Sequence, residues 1–179
     1  ICLQNATGSG KTLLMHVNFL QFRHYADASR FKDDLTRTVL ITPNDGLSGQ
    51  HAREMGASGI RAERLSTDSG DLFSSAKNGL RHVDFTEITK LSDEDGPNQI
   101  AIRNLGDQNL LLVDEAHRGM GSKEETGWFK SRERLVEKGF VFEYSATFKE
   151  AITAAKRPEI DAAYTKNILF DYSYRYFYE

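Results

Sequence analysis

The stretch ATGSGKT, Ala6 to Thr12, decides the fold. It follows an apolar run, Ile1, Cys2 and Leu3, that reads as a buried strand, and Gly8 and Gly10 mark a tight turn into a helix. Glycine adopts the backbone conformations that aim successive N–H groups at one anion. The helix that begins near Gly10 adds the positive end of its dipole. Thr7, Gly8, Ser9, Gly10, Lys11 and Thr12 are therefore expected to cradle phosphates, with Lys11 reaching the β- and γ-phosphates and the Thr12 hydroxyl ligating Mg²⁺. The general pattern of such a loop opens on a glycine, and here that position is Asn5. The bland alternative is an ordinary glycine-rich strand-to-helix turn, and a second segment decides against it.

That segment is LLLVDEAH, Leu110 to His117. Leu110 to Val113 read as a short buried strand of a parallel sheet. Asp114 and Glu115 follow at its carboxyl end, where open α/β sheets place their ligands. Asp114 suits a Mg²⁺ ion held through its water shell, and Glu115 suits the orientation and deprotonation of an attacking water. Alone, the segment could be a solvated acidic turn followed by a surface histidine. Paired with the upstream loop, it points to Mg-nucleotide chemistry, with Lys11, Asp114 and Glu115 as the catalytic candidates.

Two further stretches fit the same arrangement. TVLITPNDGLSGQ, Thr38 to Gln50, is an apolar strand, a TPN turn and a helix start. YSATF, Tyr144 to Phe148, follows another apolar strand, Gly139 to Phe142. The order ATGSGKT, TPN, DEAH, SAT resembles motifs I, Ia, II and III of the first motor lobe of DEAH-type superfamily 2 helicases and translocases. The resemblance covers nearly the whole chain. The wording ITPNDGLSGQH together with LLLVDEAHRG is most similar to the R (helicase) subunits of type III restriction enzymes.

The resemblance implies ATP and Mg²⁺ as cofactors and a RecA-like P-loop NTPase lobe, a mostly parallel α/β sheet with helices on both faces. It implies that His117, Ser145 and Thr147 couple nucleotide state to lobe movement. It also places Thr42, Pro43 and Asn44 near a nucleic-acid track, with backbone N–H groups and hydroxyls on phosphates. Such contacts position a strand without reading its sequence. Without the other motifs, TPN would read as a proline-set turn after a strand. Phosphoryl transfer in such motors uses an arginine finger from outside the phosphate loop, which the resemblance assigns to a second lobe. Arg118 and Arg132, close to motif II, are expected to be surface or nucleic-acid-facing groups instead. The expected partners are DNA, duplex above all, a second motor lobe and a nuclease domain of the same polypeptide, and a methyltransferase or specificity subunit. No residue of this chain is a candidate for DNA cleavage.

Length and composition fit one domain over 1–179. The chain has 179 residues, 39% hydrophobic and 27% charged, enough for a sheet-and-helix core. It begins at Ile1 inside a strand, so it is expected to be one lobe truncated at its N-terminus, nearly inactive alone. A net charge of −3 gives no overall basic footprint and argues against a DNA-coating module, though not against a motor whose track lies in a cleft. Cys2 is the sole cysteine, which excludes an internal disulfide framework and suits the cytoplasm. No apolar run reaches membrane-spanning length.

The remaining sequence alternates strand and helix. Lys11 to Tyr25 predicts a helix with Leu13, Leu14, Val17 and Leu20 on one apolar face. Asp45 to Met55 predicts a second, with Asp45 as its cap. His82 to Leu91 predicts a strand, and Asn98 to Leu105 fits strand or helix equally. Glu124 to Lys138 predicts a helix with Trp128, Phe129, Leu135 and Val136 inward, and Lys156 to Glu159, around Pro158, marks a flexible connection. In the tail, Tyr172, Tyr174, Tyr176 and Tyr178 recur at every second residue, which predicts an aromatic strand over 168–179. Packing on the protein is favoured for that face over base stacking on nucleic acid. His16, His24, His51, His82 and His117 are scattered, without paired cysteines, which speaks against a structural zinc site.

Three functional readings follow. The leading one is an ATP-driven motor lobe of a DNA helicase or translocase of restriction type. The second is an RNA helicase lobe of the same superfamily, since nothing in these residues tests for a 2′-hydroxyl. The third is an ATP-gated binding switch without translocation, against which Glu115 argues.

Overall fold

In the computed structural model, residues 1–29, 34–68, 72, 79–94, 96–116, 130–148 and 158–172 are described. Their frame is a seven-stranded sheet in the order β3-β4-β2-β7-β8-β1-β9, in which neighbouring strands run parallel. In chain order the strands are β1 (Cys2–Asn5), β2 (Arg37–Thr42), β3 (Ala62–Arg64), β4 (Gly79–Glu87), β7 (Asn109–Asp114), β8 (Phe140–Ser145) and β9 (Ile168–Tyr172). Two short strands, β5 (Leu91–Ser92) and β6 (Ile100–Ala101), pair apart from the sheet.

The side chains of β2 and β7 show why helices cover both faces. Val39, Ile41, Leu111 and Val113 enter one apolar cluster, whereas Leu40, Leu110 and Leu112 enter the other. Strand residues alternate between faces, so an uninterrupted apolar run needs a cover on each side. Helices α1 (Lys11–Asp27) and α2 (Asp45–Ala57) cover the second cluster through Met15, Phe19, Ala26 and Met55. Leu135, from a helical segment at 130–135, and Tyr164, from α3 (Pro158–Thr165), cover the first. This is the α/β architecture expected from the sequence.

Because the strands run in one direction, their carboxyl ends share one rim. Asn5, Thr42, Asp114 and Ser145 all end strands there. Sites separated by more than a hundred residues thereby become neighbours. At the opposite end, β8 begins tightly against β7. A Cβ added at Gly139 would lie 2.1 Å from the Asn109 carbonyl oxygen, so only glycine fits.

Several local expectations are corrected. The α1 face is displaced: Leu13 is 64% and Val17 40% exposed, while Met15, His16, Phe19 and Ala26 are buried. Leu14 and Leu20 pack at the margin of the core. The apolar residues of α1 go more than half-way round the helix, and the aromatic ring of Phe19 with Met15 sets which side turns inward. Asp45 does not cap α2; Asn44 does, its Oδ1 accepting the Leu47 N–H at 3.0 Å. The strand expected over His82 to Leu91 ends at Glu87 and passes into a 3-10 turn, Ile88–Lys90. Asn98 to Leu105 contains both alternatives, β6 and a 3-10 turn at Ile102–Leu105. Pro158 and Glu159 open α3, consistent with proline's fixed φ and missing N–H in a first helical turn, while Lys156 and Arg157 of the expected connection lie outside the described residues. Arg132 is not a surface group. It is 8% exposed and donates to Glu143 at 2.9 Å.

Leu135 and Val136 face the core as expected, whereas Trp128 and Phe129 lie outside the described residues. The aromatic tail is described to Tyr172. There β9 pairs with β1 and leaves Leu169, Phe170 and Tyr172 exposed, and 173–179 lie outside the described residues. Among the described residues, no helix is long and apolar enough to cross a membrane.

Candidate functional site

The site is built from three segments of the common rim. The first is the turn between β1 and α1. Gly8 has φ 82° and Gly10 φ 87°, in the left-handed region that favours glycine, and a Cβ at either would meet nothing within 4 Å. The loop thus turns sharply with open space over its backbone. Gly10 caps α1, and its carbonyl accepts the Leu14 N–H at 3.0 Å. The Ser9 hydroxyl is buried and lacks a protein partner among the described residues.

The second segment is the end of β7. Asp114 is buried, and Glu115 turns out of the strand with φ 51°, a backbone strain for a residue with a Cβ. That turn brings both carboxylates to Lys11. Its Nζ lies 3.1 Å from Asp114 Oδ1 and donates to Glu115 Oε1. The loop and the acid pair expected from the sequence therefore meet directly.

The third segment is α2, which supplies His51. Its Nε2 lies 2.9 Å from Asp114 Oδ2, both side chains being buried. Burial works to raise the Asp114 carboxyl. The hydrogen bond from His51 and the Lys11 charge outweigh it and hold the group below its ordinary value. His16, from α1, places Nδ1 2.8 Å from Ser58 Oγ, while burial, aided by His51 nearby, lowers its basicity. These segments enclose a cleft of about 590 Å³ lined by Thr7, Gly8, Lys11, Thr12, Asp114 and Glu115 on one side. His16, Gln50, His51, Glu54 and Ser58 line the other.

An anionic ligand with a divalent cation fits this set. The loop offers backbone donors and one ammonium, while Asp114 and Glu115 offer oxygen ligands of the kind hard cations take.

The other residues singled out in the sequence fall around this cleft. Ser145 ends β8 one position beyond Tyr144, the residue paired with Asp114, and its Oγ accepts the Thr147 N–H at 3.1 Å. His117 lies outside the described residues. Thr42 departs from expectation: it is buried, and its hydroxyl contacts Ser48 Oγ at 2.6 Å and donates to the Asn44 carbonyl at 3.1 Å. Its hydroxyl is thus occupied inside the lobe, leaving Asn44 and the backbone of the turn at the surface.

His51 and His16 were not legible as site residues. The available signal was a histidine between Ser48 and Met55 on the buried side of α2. A buried histidine needs a polar partner, but its partner comes from a strand sixty-three residues away.

Together, the parallel sheet, the glycine turn and the acid pair define a RecA-like lobe. A family model described as the res subunit of type III restriction enzymes matches residues 1–150, and the chain belongs to that family, within helicase superfamily 2. It is a helicase-family lobe. Among solved structures it is similar to the Hef helicase domain of Pyrococcus furiosus, with a TM-score of 0.56 at 16% identity. That match covers 93% of this chain and 32% of the other, and at this identity it speaks for the fold. No curated protein matches the chain significantly by sequence.

Proposed function

We propose that the lobe binds Mg-ATP in the cleft and hydrolyses it to drive movement on duplex DNA, as part of a type III restriction subunit. The observation that carries this reading is the convergence of Lys11, Asp114 and Glu115 at one rim. Thr7, Gly8, Ser9, Gly10, Lys11 and Thr12 hold the phosphates, and Thr12 and Asp114 hold the magnesium. The metal supplies charge neutralisation for phosphoryl transfer. Lys11 leaves its carboxylate partners for the phosphates, and Glu115 is then available to orient a water and take its proton. Ser145 and Thr147, with His117, relay nucleotide state to a second motor lobe. The turn at Thr42, Pro43 and Asn44 meets the nucleic-acid backbone through Asn44 and its own N–H groups. A nuclease domain and a specificity subunit complete the proposed assembly.

The test is ATP hydrolysis by the full-length polypeptide with duplex DNA, single-stranded DNA or RNA, beside Glu115→Gln. Stimulation by duplex DNA, lost in the variant, is the expected result. Stimulation by RNA alone would move the lobe to an RNA motor. Tight ATP binding without nucleic-acid-dependent turnover would replace the motor by a switch.

A further inference from the structure

The Asp114 carboxylate is gripped from three directions. Oδ1 faces Lys11 Nζ at 3.1 Å and accepts the Glu115 N–H at 3.0 Å, and Oδ2 accepts from His51 Nε2 at 2.9 Å. An ionised carboxylate only accepts hydrogen bonds, so Nε2 carries the proton of this contact. Lys11 and Glu115 belong to the hydrolytic set itself. His51 belongs to α2, a different structural unit.

Helix α2 starts at the turn proposed to meet nucleic acid. Its cap is the exposed Asn44, and Ser48 in its first turn is bonded to the buried Thr42 hydroxyl. Ser48, His51 and Met55 form its buried side. From the cap to His51 a helix rises roughly 10 Å at 1.5 Å per residue. Over that length it moves as a rod, because its backbone hydrogen bonds are internal. The His51–Asp114 hydrogen bond therefore links the helix that starts at the turn 42–44 to the Asp114 side chain, beside the backbone pairing of β2 with β7.

We propose that His51 is a positioning residue that ties the Asp114 carboxylate to α2 and makes metal-nucleotide binding and nucleic-acid binding sense one another. The proposal rests on the site assignments made above. Each ligand then alters the affinity of the other by the same factor, as linkage requires.

The test is an equilibrium one, on the full-length polypeptide. Affinity for fluorescein-labelled duplex DNA is measured with and without a non-hydrolysable ATP analogue and Mg²⁺. The parent protein is expected to show a coupling factor of about 5-fold or more. His51→Ala should bring the factor close to unity, and His51→Gln, whose amide can still donate, should restore much of it. The Mg²⁺-dependent part of nucleotide affinity should fall about 10–100-fold in His51→Ala, the range for loss of an outer-sphere partner. Met55→Leu, which alters the same helix side without touching Asp114, should keep the coupling. Should His51→Ala not fold, His51→Asn, too short to reach Oδ2, replaces it. Coupling unchanged in His51→Ala, or lost equally in Met55→Leu, would overturn the proposal. A parent protein that binds no Mg-nucleotide would instead overturn the site assignment beneath it.

Discussion

Glu143 and Asp114 are both buried carboxylates with basic partners, and they are built for different ends. Glu143, within β8, accepts from Arg132 Nη1 at 2.9 Å, from the Tyr164 hydroxyl at 3.0 Å and from Cys2 Sγ at 3.3 Å. Its partners come from the helical segment at 130–135, from α3 and from β1, so the cluster joins separate elements beneath the sheet. Asp114 has a similar number of donors, but it opens onto the cleft beside a strained Glu115. Beside it, His51 Nδ1 is buried without a hydrogen-bond partner among the described residues. Number of contacts does not separate a structural ion pair from a functional one. Access and backbone strain do.

Substitution of the basic partner should give opposite outcomes in the two clusters. Lys11→Ala should lower ATP turnover by about 10²–10³-fold, the scale for removing one preorganised charge donor. Its urea unfolding midpoint should move less than in the Arg132 variant, because Glu115 opens to the cleft and Asp114 keeps its His51 partner. Arg132→Met should do the reverse. It leaves Glu143 buried without its cation, at a cost of about 3–5 kcal/mol in unfolding free energy. The double variant Arg132→Met/Glu143→Leu should recover most of that loss, since a well-packed apolar pair can replace a buried ion pair. A stable Arg132→Met, or a Lys11→Ala that unfolds readily, would erase the contrast.

Acid should sharpen it further. The folded Asp114 carboxyl is held below its ordinary value of 3.8 by His51 and Lys11, against the opposing effect of burial. A depressed carboxylate contributes stability that is complete above its unfolded pKa and disappears as pH falls through the folded value. The parent protein should therefore exceed Asp114→Asn in unfolding free energy near neutrality. That margin should shrink below pH about 4, where the unfolded carboxyl begins to protonate. A margin independent of pH would show that the two donors do not hold the ionised form.

Sequence made the frame legible because parallel strands are local patterns: Leu110 to Val113 needs no knowledge of its neighbours to read as a doubly covered strand. The catalytic candidates were legible for a related reason, since a glycine turn before a lysine and a strand-ending acid pair each carry their chemistry in a few adjacent residues. What escaped were pairings and phases. Arg132 looked solvent-facing because its partner, Glu143, is supplied by the sheet, and a charged residue reads as exposed until that partner is known. Leu13 and Val17 looked buried because α1 carries more apolar residues than its inward side can hold. His51 was one of several scattered histidines until folding brought it to Asp114.

The smallest expected effect tests whether the 42–44 turn belongs with the functional rim or merely starts a helix. Asn44 is exposed, yet its side chain accepts the Leu47 N–H, so Asn44→Ala removes an α2 cap and should cost about 1 kcal/mol of stability. Asn44→Ser keeps an N-capping oxygen and should restore that stability, while shortening the group offered to a nucleic-acid phosphate. If the turn is only a cap, DNA affinity will follow stability, and serine will rescue both. If Asn44 also meets the backbone of the track, serine will rescue folding and leave DNA affinity reduced at low salt. Because such a contact is to phosphate, the reduction should be of similar size on unrelated duplex sequences. Fluorescence anisotropy on two such duplexes, beside urea unfolding of the same variants, separates the two roles of one side chain.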